Sequence, residues 1–338
     1  MKIVIDDKIP YIKEVISQIT DDAVYKKGAE ICYDDVKDAD AMIVRTRTKC
    51  NRDLLEGSSV KFIATATIGF DHIDTEYLKA AGITWMNCPG CNSGSVAQYL
   101  RSVLILLNKD KGENIKNMTL GIVGCGHVGQ KVKAAAEQLG MKVLVNDPPR
   151  QDAGEEGDFV SLDEIKKSCD IITFHTPMVK EGRYKTVHIA DKNFFNTLSK
   201  TPYIINTSRG GVVDNNELLK ALKTGKVKDA IIDTWENEPD INLELLERIY
   251  IGTPHIAGYS ADGKVNADNM VIEGLCQYFN IKKSFKIEPP KLPNEIKFSK
   301  DFEERCLQLY NPLVDSKKLK LHPDTFEELR GNYPIRRE

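Results

Sequence analysis

The chain has no apolar run long enough to cross a bilayer. Its longest, around Val103–Leu107, falls far short of the roughly 20 residues that a spanning helix needs. It also lacks a dominant charge: 47 Lys and Arg against 50 Asp and Glu leave a formal net charge of −3, which gives no electrostatic reason to expect nucleic acid or an anionic membrane as partner. A leader pattern is missing too, because Met1-Lys2-Ile3-Val4-Ile5-Asp6 reads as a short strand meeting acidic residues, so a cytoplasmic location is expected. The cysteines form no complete metal site. Cys88-Pro89-Gly90-Cys91 has the spacing of a redox or zinc pair, but no second pair or nearby histidine supplies four ligands, and Pro-Gly also makes a turn. No metal is expected, and there is neither a solenoid-type repeat nor a low-complexity tract.

What is present is a soluble composition, 41% hydrophobic and 29% charged, on 338 residues, long enough for two or three domains. Short β-rich runs alternate with helical patterns. Strands are expected at Lys2–Ile5, Ala41–Arg45, Lys61–Thr65 and Thr84–Asn87, then at Thr119–Cys125, Lys142–Asp147, Ile171–His175, Tyr203–Thr207, Asp229–Asp233 and Ile249–Gly252. Many are continuous apolar runs, as parallel strands covered on both faces require. Helices are expected at Thr75–Ala81, Val128–Leu139 and Asn215–Thr224, the last stopped by Gly225. The pattern is α/β, doubly wound and in two blocks. The apolar segment Ser93–Asn108 joins them, and a second helical segment, about Asp262–Asn280, returns to the first block.

Gly124-Cys125-Gly126-His127-Val128-Gly129 follows an apolar strand and opens a helix pattern, and Asp147 ends the next strand. In this context Gly124 permits the tight turn, Gly126 lets backbone approach a pyrophosphate, and Gly129 seats the helix on the sheet. Amides near His127 and Val128 then face the phosphates from a helix N-terminus. Asp147 suits the ribose hydroxyls and repels a 2′-phosphate, which favours NAD over NADP, although Arg150 in the same loop weighs slightly the other way. A tight βα turn without ligand would explain the glycines alone, but not the acid at the next strand end.

Downstream, Asn206-Thr207-Ser208-Arg209-Gly210-Gly211, Asp233-Thr234-Trp235-Glu236-Asn237-Glu238-Pro239 and Thr253-Pro254-His255-Ile256-Ala257-Gly258-Tyr259 each follow an apolar strand, at the ends where open α/β sheets bind ligands. Oxidising a secondary alcohol by hydride transfer needs a base, a role that suits a histidine, and His255 is the candidate. Glu238 suits the carboxylate that orients the ring. Arg209 offers a two-pronged cation for a substrate carboxylate. Each residue alone has a bland reading: a structural histidine, a turn cap, a surface charge. At successive strand ends after a nucleotide loop, the three together point to oxidation of a 2-hydroxy acid.

These segments together resemble the D-isomer-specific 2-hydroxyacid dehydrogenase family. The resemblance implies two doubly wound parallel-sheet domains and a small C-terminal element: a substrate domain over 1–93 and 259–285, a Rossmann NAD domain over 94–258, and a short or truncated dimerisation region over 286–338. It implies catalytic Arg209, Glu238 and His255. Thr176, Thr207, Asp233 and Gly258 would complete the NAD set, while Thr46, Thr67 and Tyr259 would contact substrate. Val44–Lys49, Ala64–His72, Asn87–Asn92, Asn146–Arg150, Ile256–Tyr259 and Leu329-Arg330-Gly331-Asn332-Tyr333 are similar to a branch of the family that acts on a phosphorylated four-carbon hydroxy acid and forms homodimers. Arg45, Arg47 and Lys49 crowd one strand end, where a phosphate could use them. Other readings are a dehydrogenase of glycerate, lactate or 3-phosphoglycerate, and a regulatory module that binds NAD(H) without turnover.

Overall fold

The apolar runs become parallel strands in a computed structural model of the chain, which describes residues 1–292, 297–334 and 336–338. These residues form two units. One comprises residues 1–92, 260–292 and Arg337; the other comprises 93–259, 297–334, Arg336 and Glu338.

In the first unit, β1 (Ile3–Asp6), β2 (Ala23–Lys26), β3 (Ala41–Val44), β4 (Phe62–Thr65) and β5 (Thr84–Met86) form a parallel sheet in the order β2-β1-β3-β4-β5. Strands β1, β3 and β4 are buried along their whole length. Alternate side chains serve opposite faces. Ile5, Ile43 and Phe62 pack with Val271 and Leu275 of the helix Ala261–Tyr278, while Val4, Met42 and Ile63 pack with Val36, Leu54 and Leu78. The sequence pattern does not reveal β2. It is a short edge strand, half-buried throughout, so it shows neither an apolar run nor clean alternation.

In the second unit, β6 (Thr119–Val123), β7 (Lys142–Asn146), β8 (Ile171–Phe174), β9 (Tyr203–Asn206), β10 (Asp229–Ile232) and β11 (Ile251–Gly252) run parallel in the order β7-β6-β8-β9-β10-β11. Chain order reverses between β6 and β8, so their carboxyl ends flank the crevice where such sheets hold ligands. The helix Ser93–Lys109 buries Val103, Leu104 and Leu107 with Ile122, Ile205 and Ile231. The C-terminal residues 297–334 add to this unit rather than forming a third. Cys306 and Tyr310 join the core under that helix, Leu319 and Phe326 join the core on the other face, and Ser316 Oγ accepts the Gly252 amide at 3.0 Å.

None of the eight cysteines is in a disulfide. Cys88 and Cys91 are both buried; the Cys88 thiol donates to the Thr65 and Ala267 carbonyls, each at 3.4 Å, and burial pushes its titration well up. Among the described residues no group of three or more His, Cys, Asp or Glu could hold a metal ion, and no helix is long and apolar enough to cross a membrane.

Candidate active site

The glycine loop leaves β6 for the helix His127–Gln138. Gly124 takes φ +90°, a region open mainly to glycine, and a Cβ there would meet the His175 carbonyl at 2.8 Å. A Cβ on Gly129 would lie 2.3 Å from the Gly124 carbonyl, so the helix seats on the loop only because no side chain intervenes. Gly126 differs: a Cβ there meets nothing within 4 Å. The space beside it is open, and the first-turn amides of His127, Val128 and Gly129 have no intrahelical acceptor.

Asp147 Oδ2 accepts the Cys125 amide at 2.7 Å and Oδ1 accepts the Arg150 amide at 3.2 Å. The carboxylate is thereby fixed beside the glycine loop, with lone pairs to spare. Arg150 is pulled aside, its guanidinium 2.7 Å from Glu155 and bonded to the Cys125 carbonyl. The Thr176 and Thr207 hydroxyls are buried without a partner among the described residues. Open backbone, amides without an intrahelical acceptor, a fixed acid and hydroxyls orphaned among the described residues fit a dinucleotide.

Arg209, Glu238 and His255 come from the loops after β9, β10 and β11. Asn206 builds the first of these loops: its Oδ1 accepts the Ser208 amide at 3.1 Å and its Nδ2 donates to the Arg209 carbonyl at 2.9 Å. The half-buried Arg209 donates to the Ser208 carbonyl at 2.8 Å, and no carboxylate pairs with it among the described residues. Gly210 brings this loop against the next, since a Cβ there would overlap the Trp235 carbonyl at 1.8 Å.

Glu238 Oε2 lies 2.8 Å from His255 Nδ1, and Oε1 accepts the Trp235 amide at 2.8 Å. Burial pushes the Glu238 carboxyl up, but the His255 bond and the charges of His255 and Arg330 outweigh it and leave it below its ordinary range. An ionised carboxylate only accepts, so Nδ1 carries the proton and Nε2 of neutral His255 presents a lone pair. His255 sits at φ +56°. Its amide donates to the Asp233 carbonyl at 2.8 Å, one of several bonds that sustain this sparsely populated conformation.

Asp233, expected in the NAD set, is wholly buried, and every bond shown for its carboxylate serves the loop. It accepts Thr253 Oγ1 at 2.6 Å, the Ile256 amide at 2.8 Å and the Ala257 amide at 2.9 Å. Burial raises its carboxyl above the usual range. Trp235 Nε1 donates to the Thr253 carbonyl at 2.9 Å. From the other side, Arg336 donates to the Ile256 carbonyl at 3.1 Å and the Ala257 carbonyl at 2.6 Å. Gly258 and Tyr259 follow in the same half-buried loop, and the Tyr259 ring packs on Tyr333 with centroids 6.1 Å apart. Sequence reasoning missed Arg336 and Trp235, since nothing local marks residues that brace a loop from a distance.

Thr46 and Thr67 belong to the first unit. Thr46 is exposed on the turn after β3, where Arg45 donates to the Lys8 carbonyl at 3.1 Å. Thr67 sits in a chain that the sequence did not suggest. Its Oγ1 donates to the Gly69 carbonyl at 2.9 Å and lies 2.7 Å from Thr65 Oγ1, which is 3.0 Å from His72 Nε2. Because the carbonyl can only accept, the order is His72 to Thr65 to Thr67 to Gly69, and Thr67 keeps one lone pair for a further donor.

A glycine loop with a fixed acid, and a histidine, a carboxylate and a guanidinium on adjoining strand ends, define an NAD-dependent oxidoreductase of hydroxy acids. The model of the D-isomer-specific 2-hydroxyacid dehydrogenase NAD-binding domain matches residues 97–257, and the chain belongs to this family. It is 56% identical over 338 residues to erythronate-4-phosphate dehydrogenase of Bacteroides thetaiotaomicron, a match that spans 100% of this chain and 97% of that one. Among solved structures it resembles NAD-bound 3-phosphoglycerate dehydrogenase of Entamoeba histolytica, with a TM-score of 0.70, 29% identity and coverage of 84% of this chain and 96% of that one. It also resembles D-lactate dehydrogenase of Aquifex aeolicus, complexed with NAD and lactic acid, with a TM-score of 0.66, 25% identity and coverage of 86% and 100%.

Proposed function

We propose that this enzyme oxidises 4-phosphoerythronate to 3-hydroxy-2-oxo-4-phosphobutanoate with NAD, as a cytoplasmic homodimer in pyridoxal phosphate biosynthesis. The whole-chain likeness to erythronate-4-phosphate dehydrogenase carries the choice of substrate. The chemistry rests on the 2.8 Å contact between Glu238 and His255.

In this reading the second unit is the NAD domain. The amides of His127 and Val128 beside Gly126 hold the pyrophosphate, Asp147 takes the ribose, and Thr176, Thr207 and Gly258 line the remainder. NAD, when bound, supplies the hydride acceptor. Arg209 grips the substrate carboxylate with two parallel donors. His255 Nε2 accepts the hydroxyl proton as the C–H bond breaks, and Glu238 stabilises the imidazolium that forms. Tyr259 presents its hydroxyl to the substrate. Asp233 acts by holding the His255 loop in place. In the first unit, the substrate contacts are the Thr46 and Thr67 hydroxyls, with Arg45, Arg47 and Lys49 as the cations for the phosphate.

The test is to compare 4-phosphoerythronate, glycerate, lactate and 3-phosphoglycerate with NAD, coupled so that product cannot stall turnover. The expected result is the highest kcat/KM with 4-phosphoerythronate; a preference for any of the other three overturns the assignment. Light scattering on the purified protein is expected to give the mass of two chains.

A further inference from the structure

The motif Leu329-Arg330-Gly331-Asn332-Tyr333 has no part in the reading above, yet the fold carries it to the proton-transfer pair. Arg330 lies on the short helix Phe326–Gly331, which Phe326 anchors by burying its ring in the core of the second unit. Arg330 Nη1 is 3.7 Å from Glu238 Oε2, the oxygen that also faces His255 Nδ1. It is also 3.7 Å from Glu327 Oε1 and hydrogen-bonds the Tyr259 side chain. Its side chain is 26% exposed, so this charge is only partly screened by water. Burial works against the guanidinium charge, and Tyr259, Glu238 and Glu327 outweigh it.

We propose that Arg330 is a positioning residue for the Glu238–His255 pair, which makes the C-terminal segment part of the proton-transfer machinery. The geometry has two consequences. Two cations cannot both neutralise one carboxylate oxygen in full, so Arg330 weakens the pull of Glu238 on an imidazolium at His255. Arg330 also fixes the Tyr259 hydroxyl, whose ring rests on Tyr333, and Tyr333 is in turn tied to Asp315 at 3.0 Å and Arg336 at 3.2 Å. The charged and titratable groups around the pair are therefore His255, Glu238, Arg330, Glu327 and Tyr259, with Asp233 beneath the loop. Lys318, His322 and Glu328 line the cavity next to them.

Without the guanidinium, Glu238 holds a protonated His255 more strongly, and a higher pH is needed to free the base. Arg330→Met is expected to move the acidic limb of the kcat/KM profile for NAD and 4-phosphoerythronate upward by roughly half a unit to one unit. NADH affinity should stay unchanged. Arg330→Lys keeps a charge and is expected to restore most of the limb's position. Should Arg330→Met be too unstable to assay, Arg330→Gln gives the same comparison while keeping a donor for Tyr259. A limb at its wild-type position in the neutral variant, or one displaced equally in the lysine variant, overturns the proposal. The inference rests on His255 as base, so His255→Gln is measured alongside. Retained turnover there defeats that reading, whereas a dead His255→Gln with an unmoved Arg330→Met profile defeats only the role of Arg330.

Discussion

Glu238 Oε2 faces His255 Nδ1 at 2.8 Å, although the two residues are 17 positions apart and stand on loops after different strands. The other Glu238 oxygen is anchored by the Trp235 amide at 2.8 Å, so the carboxylate cannot swing away and the ring keeps one tautomer.

The first prediction follows from that pairing. His255→Gln removes the base and is expected to lower kcat by about 10²–10⁴-fold with NADH binding nearly intact. Glu238→Gln keeps the shape but loses the charge that stabilises an imidazolium. It should lower kcat and move the acidic limb of kcat/KM to lower pH, opposite to the shift expected for Arg330→Met. Fluorescence titration of NADH with pH-resolved steady-state kinetics checks both, and a Glu238→Gln limb displaced upward would contradict the assigned tautomer.

Two glycines in one loop should behave differently. A Cβ at Gly126 enters open space, while one at Gly129 would overlap the Gly124 carbonyl at 2.3 Å. Gly126→Ala is expected to weaken NAD binding by tenfold or so at an unchanged melting temperature, a surface-like change of about 0.5 kcal/mol or less. Gly129→Ala should lower both affinity and melting temperature, because the helix must lift from the loop. Calorimetry and thermal melts distinguish them; equal melting losses would mean that the space beside Gly126 is not free.

Arg209 has no carboxylate partner among the described residues, which suits a group that awaits one from substrate. Arg209→Lys keeps the charge but loses the planar fork. It is expected to raise KM for the hydroxy acid and lower kcat/KM by about 10-fold or more, with NADH affinity unchanged. Wild-type kinetics in this variant would remove Arg209 from carboxylate binding.

Asp268 supplies a pH prediction for stability. Burial, offset in part by the Tyr11 amide and by Arg45 and Lys264, pushes its carboxyl up to about 7, against about 4 in an unfolded chain. The folded chain therefore binds the proton more tightly, and the stability it contributes is full below about pH 4 and is lost as the pH rises to about 7. Asp268→Asn should remove that loss, so its melting temperature relative to wild type should be higher at pH 8 than at pH 4. The gain at pH 8 is at most a few kcal/mol. A difference independent of pH would show that the carboxyl does not titrate in this window.

The buried strands and the glycine loop were legible because their signals are local. Strands β1, β3 and β4 are covered on both faces and so carry apolar runs, while Gly124 answers to its positive φ and Gly129 to the nearby Gly124 carbonyl. The edge strand β2 was not legible, because half-burial erases the pattern on which a strand is recognised. Residue types at strand ends singled out Arg209, Glu238 and His255, but not the contact between Glu238 and His255. The family resemblance implies Asp233 as a residue for the cofactor, but no local pattern shows its bonds to Thr253, Ile256 and Ala257.

Sequence by itself determined the doubly wound class, the glycine loop and the choice of Arg209, Glu238 and His255 as candidates at strand ends. Tertiary structure alone decided the hold on His255: Glu238 on its ring, Asp233 and Arg336 on its loop, and Arg330 on Glu238. Those contacts join residues separated by up to 92 positions, from Glu238 to Arg330. A hydrogen bond between distant residues imposes no spacing on the chain between them, so no local pattern records it.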